Sequence, residues 1–199
     1  MREQKVQRLA VLVSGNGSNL ERIFQAIDSG EIPNAEVGLV ISDRPCYGLE
    51  RAEKRGVPTL LIARGKSFSE KLSESLPETI DLVVLAGFLS ILSESFCREY
   101  SGKIINIHPS LLPKFGGVGM WGAKVHESVL AAGEKESGAT VHYVTAGIDQ
   151  GTIILQKSFE ISPMETPESL AEKVHEIEYE IFPQAIVRAL EKQENNRIG

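Results

Sequence analysis

Val6-Gln7-Arg8-Leu9-Ala10-Val11-Leu12-Val13 runs without a break into Ser14-Gly15-Asn16-Gly17-Ser18-Asn19, and a helical pattern from Leu20 to Ser29 follows. A largely apolar run of this kind suits a strand covered on both faces in a parallel sheet. The glycine-rich link then reads as the first turn of a βα unit. Its helix would aim free N–H groups back at the loop, Gly15 and Gly17 would let an anion approach the backbone, and Ser18 would add a hydroxyl. The segment is a tight turn on one reading and a phosphate cradle on the other; the geometry favours the cradle.

Outward from this unit the strand–helix alternation repeats. Val37 to Ile41 is strand-like, Gly48 to Arg55 helical and closed by Gly56 and Pro58, Thr59 to Ile62 a short strand, and Ser67 to Leu76 a short helix ended by Pro77. Leu82 to Ala86 and Lys103 to Ile107 read as buried strands, Ala123 to Ala132 as a helix, and Ala139 to Val144 and Thr152 to Ile161 as strands. The last helix opens at Thr166-Pro167-Glu168, a cap residue followed by proline at the first helical position, and is expected to reach about Glu191 with a kink at Pro183. Serial βα units of this length predict an α/β fold with a doubly wound, mostly parallel sheet, an antiparallel strand pair toward the C-terminus and a long C-terminal helix. We expect one domain over 1–199, with a phosphate-binding lobe at 1–100 and a catalytic lobe at 101–199.

Composition narrows the function classes. The chain has 199 residues, a formal charge of -6 and 42% hydrophobic residues, enough for a sizeable core. No run approaches the ~18 apolar residues of a membrane span, and with a charged start from Met1 to Arg8 no apolar signal segment is expected. Cys46 and Cys97 are isolated, as expected of reduced thiols in a cytoplasmic protein. An acidic chain argues against nucleic acid as partner, so any phosphate-bearing ligand must be held by local geometry.

Chemistry concentrates in Asn106-Ile107-His108-Pro109-Ser110-Leu111-Leu112-Pro113. Strand alternation sends Ile104, Asn106 and His108 to one face, and Ile105 and Ile107 to the other, with the amide and the imidazole about 7 Å apart. Proline stops the strand there. Ligands of open α/β sheets bind at strand C-terminal ends, and an Asn/His pair in that place can polarise a carbonyl and manage a proton. Downstream, Lys114 to Gly122 carries four glycines around Phe115, Met120 and Trp121; it reads as a mobile lid or as a turn cluster with buried anchors.

Two carboxylates stand out. Asp149 sits in a glycine-flanked turn between strands, where it either forms the turn or faces His108 and holds its ring charged. Glu178 lies beside the apolar stripe of Leu170, Val174, Ile177 and Ile181, positioned to reach solvent or to bind ligand hydroxyls. Competing motifs are incomplete. Gly15-Asn16-Gly17 lacks the third glycine of a dinucleotide fingerprint, Leu20 standing in its place, although Asp43 falls near the expected ribose acid. His108, His126, His142 and His175 are widely spaced along the chain, and neither HExxH nor GxSxG occurs.

Taken in order, Val13 to Leu20, Val83 to Leu89, Asn106 to Pro113, Thr140 to Val144 and Asp149-Gln150-Gly151 resemble the folate-dependent glycinamide ribonucleotide formyltransferases of purine biosynthesis over nearly the whole chain. The resemblance implies that Gly17, Ser18 and Asn19 hold the ribonucleotide phosphate and that Glu178 contacts the ribose. Leu89, Ser90, Ile91 and Leu92 would line the folate pocket with Asn106 and the turn before Asp149, and Asn106, His108 and Asp149 would form the catalytic trio. His142 would support them. It further implies 10-formyltetrahydrofolate as co-substrate, no metal, no nucleic-acid or membrane partner, a monomer or homodimer, and a cytoplasmic location. Pro109 separates the chain from the formyltetrahydrofolate hydrolases, which usually carry a second histidine there. The segment from Ala63 to Glu78 is short for the family, leaving Arg64 and Lys66 as candidates for its basic residue. Ser90 stands where many relatives have a basic side chain, and the loop from Phe115 to Gly122 is long and glycine-rich. The other classes to be weighed are the hydrolase, a nicotinamide-dependent oxidoreductase using Gly15, Gly17 and Asp43, and a non-catalytic nucleotide sensor.

Overall fold

The computed structural model describes residues 5–198; Met1–Gln4, part of the charged start, and Gly199 lie outside the described residues. Seven strands form one sheet in the order β3-β2-β1-β4-β5-β6-β7. These are β1 (Gln7–Val13), β2 (Ala35–Ser42), β3 (Thr59–Leu61), β4 (Leu82–Leu85), β5 (Ile104–His108), β6 (Glu136–Tyr143) and β7 (Ile153–Glu160). The first five pair in parallel, while β6 and β7 are antiparallel. The doubly wound sheet with an antiparallel pair is therefore as expected.

Alternation along the central strands sorts side chains into two cores. Leu9, Val11, Val13, Val84, Ile105 and Ile107 join the larger core, which also takes residues of α1 (Ser18–Asp28), α5 (Ala123–Ala131) and α6 (Pro167–Ile198). Ala10, Leu12, Val83, Leu85 and Ile104 join the smaller core, with Phe68 and Leu72 of α3 (Phe68–Ser75) and Phe96 of α4 (Glu94–Glu99). A one-residue slip would exchange these sets, so burial on both faces fixes the register. The remaining helix, α2 (Tyr47–Lys54), buries Ala52 in the larger core.

Winding reverses between β1 and β4. Chain following β1 builds outward through β2 and β3, then returns to place β4 and β5 on the other side, which opens a crevice at the strand C-terminal ends. The two lips are tied together: Ser14 N–H donates to Gly87 O at 3.1 Å, and Leu89 N–H donates to Ser14 Oγ at 2.8 Å.

Three elements differ from the sequence reading. α4 has only Phe96 and Cys97 as buried residues, too little periodicity to be read; its start is fixed by Ser93, whose Oγ accepts from Phe96 N at 3.2 Å. β6 begins three residues early because Glu136 to Gly138 pair with β7 despite their low strand propensity. α6 runs past Glu191 to Ile198 with Pro183 inside it. Its start follows the cap rule, Ser169 N–H donating to Thr166 Oγ1 at 3.2 Å.

Candidate active site

A cavity of ≈ 780 Å³ opens at the C-terminal ends of the strands, between the lips of the crevice. Asn106, His108 and Asp149 line it, as do Ser18, Asn19, Glu178 and the segment from Leu89 to Leu92. Gly17 does not. It is the residue before α1, at φ 73°, and a Cβ there would stand 2.7 Å from Gly48 Cα. Glycine is thus required so that the loop can turn and pack on α2. Gly15 is under no such demand from the chain, its Cβ position being open. The N–H groups of the first turn of α1 beyond Gly17 have no acceptor within the helix and offer an anion site.

β5 delivers the central pair. Asn106 and His108 stand opposite His142 and Thr140 of β6, so their side chains meet on one face. His142 Nδ1 donates to the Tyr143 carbonyl at 2.9 Å, and its Nε2 lies 3.2 Å from Asn106 Nδ2. That contact turns the second amide N–H of Asn106 toward the cavity. His108 is enclosed at 5% exposure, and its Nε2 donates to the Phe115 carbonyl at 2.8 Å. Its Nδ1 faces Asp149 Oδ2 at 3.6 Å, beyond hydrogen-bond length. Nε2 is therefore committed to the protein, while Nδ1 faces a carboxylate without bonding it directly.

Asp149 adopts φ 55° and receives the Gly117 N–H on Oδ2 at 2.9 Å; its Oδ1 is 3.5 Å from His142 Nε2. Burial pushes its carboxyl up, but the His142 ring beside it, the charge of His108 and the Gly117 N–H outweigh burial and hold it below its ordinary value. The glycine-rich loop is thus anchored as well as open. Phe115 and Met120 pack on the larger core while Val118 is 84% exposed and Trp121 58% exposed. A buried hydroxyl sets its approach: Thr140 Oγ1 donates to Ser110 O at 2.6 Å and accepts from Leu112 N at 3.1 Å and Gln156 Nε2 at 2.9 Å.

On the opposite wall Glu178 is 7% exposed, its Oε2 accepting from Asn19 Nδ2 at 3.1 Å and His175 Nδ1 at 2.8 Å. A carboxylate fixed by α1 and its own helix keeps a second oxygen for ligand hydroxyls. Across the cavity, Ser90 Oγ donates to Asp43 Oδ2 at 2.6 Å. Asp43, 1% exposed, also binds Arg44 through both oxygens and Arg64 at 2.9 Å. This carboxylate is saturated by protein and does not line the cavity, so the ribose acid of the nicotinamide reading is lost. Arg64, rather than Lys66, is the base joined to the Leu89–Leu92 segment through Asp43.

The chain's four histidines, separated in sequence, all line this one cavity. His108 and His142 have expected roles as catalyst and support, whereas His126 and His175 have none. The signal for His126 was its place on the apolar face of α5, between Val125 and Val129. Even so, among the described residues no three His, Cys, Asp or Glu side chains are grouped to hold a metal ion, and no helix is long and apolar enough to cross a membrane.

Comparison with known proteins identifies the family and the fold. The family described as formyl transferase matches residues 7–186. The phosphoribosylglycinamide formyltransferase of Haemophilus influenzae is 39% identical over 191 residues, covering 91% of this chain and 86% of that protein. The trifunctional purine biosynthetic protein adenosine-3 of Drosophila melanogaster is 43% identical over 194 residues; the match covers 94% of this chain but only 14% of the fly protein's length. Among solved structures, glycinamide ribonucleotide transformylase 1 from Symbiobacterium toebii superposes with a TM-score of 0.88 at 38% identity, covering 96% of this chain and 92% of that one.

Proposed function

The chain belongs to the formyl transferase family, and from that premise we propose that it transfers the formyl group of 10-formyltetrahydrofolate to the amine of glycinamide ribonucleotide, giving N-formylglycinamide ribonucleotide and tetrahydrofolate in de novo purine synthesis. The observation that carries the reading is the convergence of Asn106, His108 and Asp149 in one cavity, between the start of α1 and the Leu89–Leu92 segment. The phosphate sits on the first turn of α1 at Ser18 and Asn19, behind the Gly17 turn, and Glu178 takes the ribose hydroxyls. The folate lies along Leu89, Ser90, Ile91 and Leu92 and reaches Asn106. Exposed Leu89 and Ile91 supply apolar surface suited to an aromatic ring system.

Attack of the amine on the formyl carbon places negative charge on the formyl oxygen. Asn106 donates its free amide N–H to that oxygen. His108 donates from Nδ1, since Nε2 is committed to Phe115; loss of one such donor typically costs ~10²–10³ in rate. Asp149, which faces the His108 ring, takes through a bridging water the proton that the amine gives up. The tetrahedral intermediate then collapses with cleavage of the bond between the formyl carbon and N10 of the folate, and that proton passes to N10 as tetrahydrofolate leaves. The enzyme works in the cytoplasm on free small molecules, as a monomer or homodimer.

Purified protein is expected to consume 10-formyltetrahydrofolate only when the ribonucleotide is present, with His108→Asn and Asp149→Asn nearly inactive. Equal consumption without acceptor would identify a hydrolase, and unchanged activity in both variants would remove the trio.

A further inference from the structure

His126 has no part in the chemistry above. It sits in α5 between two buried valines and is itself 5% exposed. Its Nδ1 is fully enclosed and has no hydrogen-bond partner among the described residues. The ring nonetheless lines the cavity, and Nε2, absent from the enclosed atoms, is the nitrogen that meets it. Burial lowers the pKa of the imidazole; Glu178 acts near enough to oppose this, and His108 near enough to add to it. The ring is therefore neutral at pH 7 and lies within the fields of both the ribose acid and the catalytic pair. A neutral imidazole has one N–H. A buried N–H without an acceptor is among the rarest defects in proteins, so the proton belongs on Nε2, pointing at the ligand.

We propose that His126 is a ribonucleotide-binding residue, its Nε2–H donating a hydrogen bond to the carbonyl oxygen of the glycinamide arm. The proposal rests on the transfer reading given above. With ribose at Glu178 and the amine at Asn106 and His108, the arm between them holds one amide, and its carbonyl is the acceptor a neutral donor would select. A charged ring at this position would also attract phosphate; a neutral one reads the amide.

Paired substitutions separate the two ring nitrogens. His126→Gln keeps an amide N–H near the place of Nε2, whereas His126→Asn puts its amide near Nδ1. Steady-state kinetics, with calorimetric titration of glycinamide ribonucleotide alone, are expected to show KM and Kd for the ribonucleotide raised about tenfold in His126→Asn. In His126→Gln they stay within about threefold, and the folate KM is unchanged in both. Should His126→Asn fail to fold, His126→Met, apolar and of similar bulk, carries the same expectation. Equal affinities in all variants, a parallel rise in both KM values, or a glutamine variant as weak as the asparagine one would overturn the assignment. Wild-type protein that neither binds the ribonucleotide nor transfers formyl would instead overturn the transfer reading beneath it.

Discussion

Asp149 is a carboxylate on which opposing influences act, and the sign of the outcome is testable. Its folded pKa lies below the ordinary carboxylate value because His142, His108 and the Gly117 N–H together outweigh burial. A depressed carboxylate contributes stability that is present above its unfolded pKa of about 3.9 and is lost as pH falls through the folded value. The difference in Tm between wild type and Asp149→Asn should therefore be level from about pH 5 upward and close below about pH 4. A difference that instead widens in acid would mean that burial wins. Much of this site could be read from the sequence, because Asn106, His108 and Asp149 fall at strand ends and turns that local patterns mark. The partners of those residues could not. The Phe115 carbonyl that takes His108 Nε2, and the His142 ring that turns Asn106, meet them through tertiary register, which spacing along the chain does not encode.

Among elements, the glycine-rich loop has two readings, and the buried anchors of one are present, Phe115 and Met120 packing on the larger core. Val118 and Trp121 are exposed, but the stretch at Phe115 to Gly117 is tightly held. A Cβ on Gly116 would stand 2.5 Å from Leu112 Cδ2 and 3.1 Å from Asp149 Cβ, and Leu112 is itself buried. Gly116→Ala must then displace a packed leucine or the Asp149 side chain. We expect a loss of about 1–3 kcal/mol, as for overpacking elsewhere, together with a fall in kcat as the Gly117–Asp149 bond is disturbed. Thermal melts and steady-state assays check this; an alanine variant with unaltered Tm and kcat would show that the segment yields like a lid. The strands and long helices were readable because they carry strong apolar patterns. α4 escaped because its two buried residues make no period, and β6 was cut short because Glu136-Ser137-Gly138 looks like loop until β7 is beside it.

At the scale of the molecule, the expected lobes at 1–100 and 101–199 share one core. The larger apolar cluster joins Leu9 and Ile23 to Val141, Phe182 and Ile186, with α6 packed against α1 on one side and β6 on the other. The cavity needs both halves, since Asn19 and the Leu89–Leu92 segment come from the first and Asn106, Asp149 and Glu178 from the second. A common core implies that neither half can open without exposing apolar surface of the other, so global unfolding should be one cooperative transition. Phe182, fully buried in α6, tests this from a single point. Phe182→Ala should cost about 3–5 kcal/mol through lost transfer energy and the cavity left behind. Hydrogen exchange measures where that loss is felt. The slowest amides of β1 and β6 should share one opening free energy in the wild type and fall together in the variant. If β6 lost its protection while β1 kept it, the halves would be separate folding units, and the cavity would be an interface between domains rather than a cleft in one.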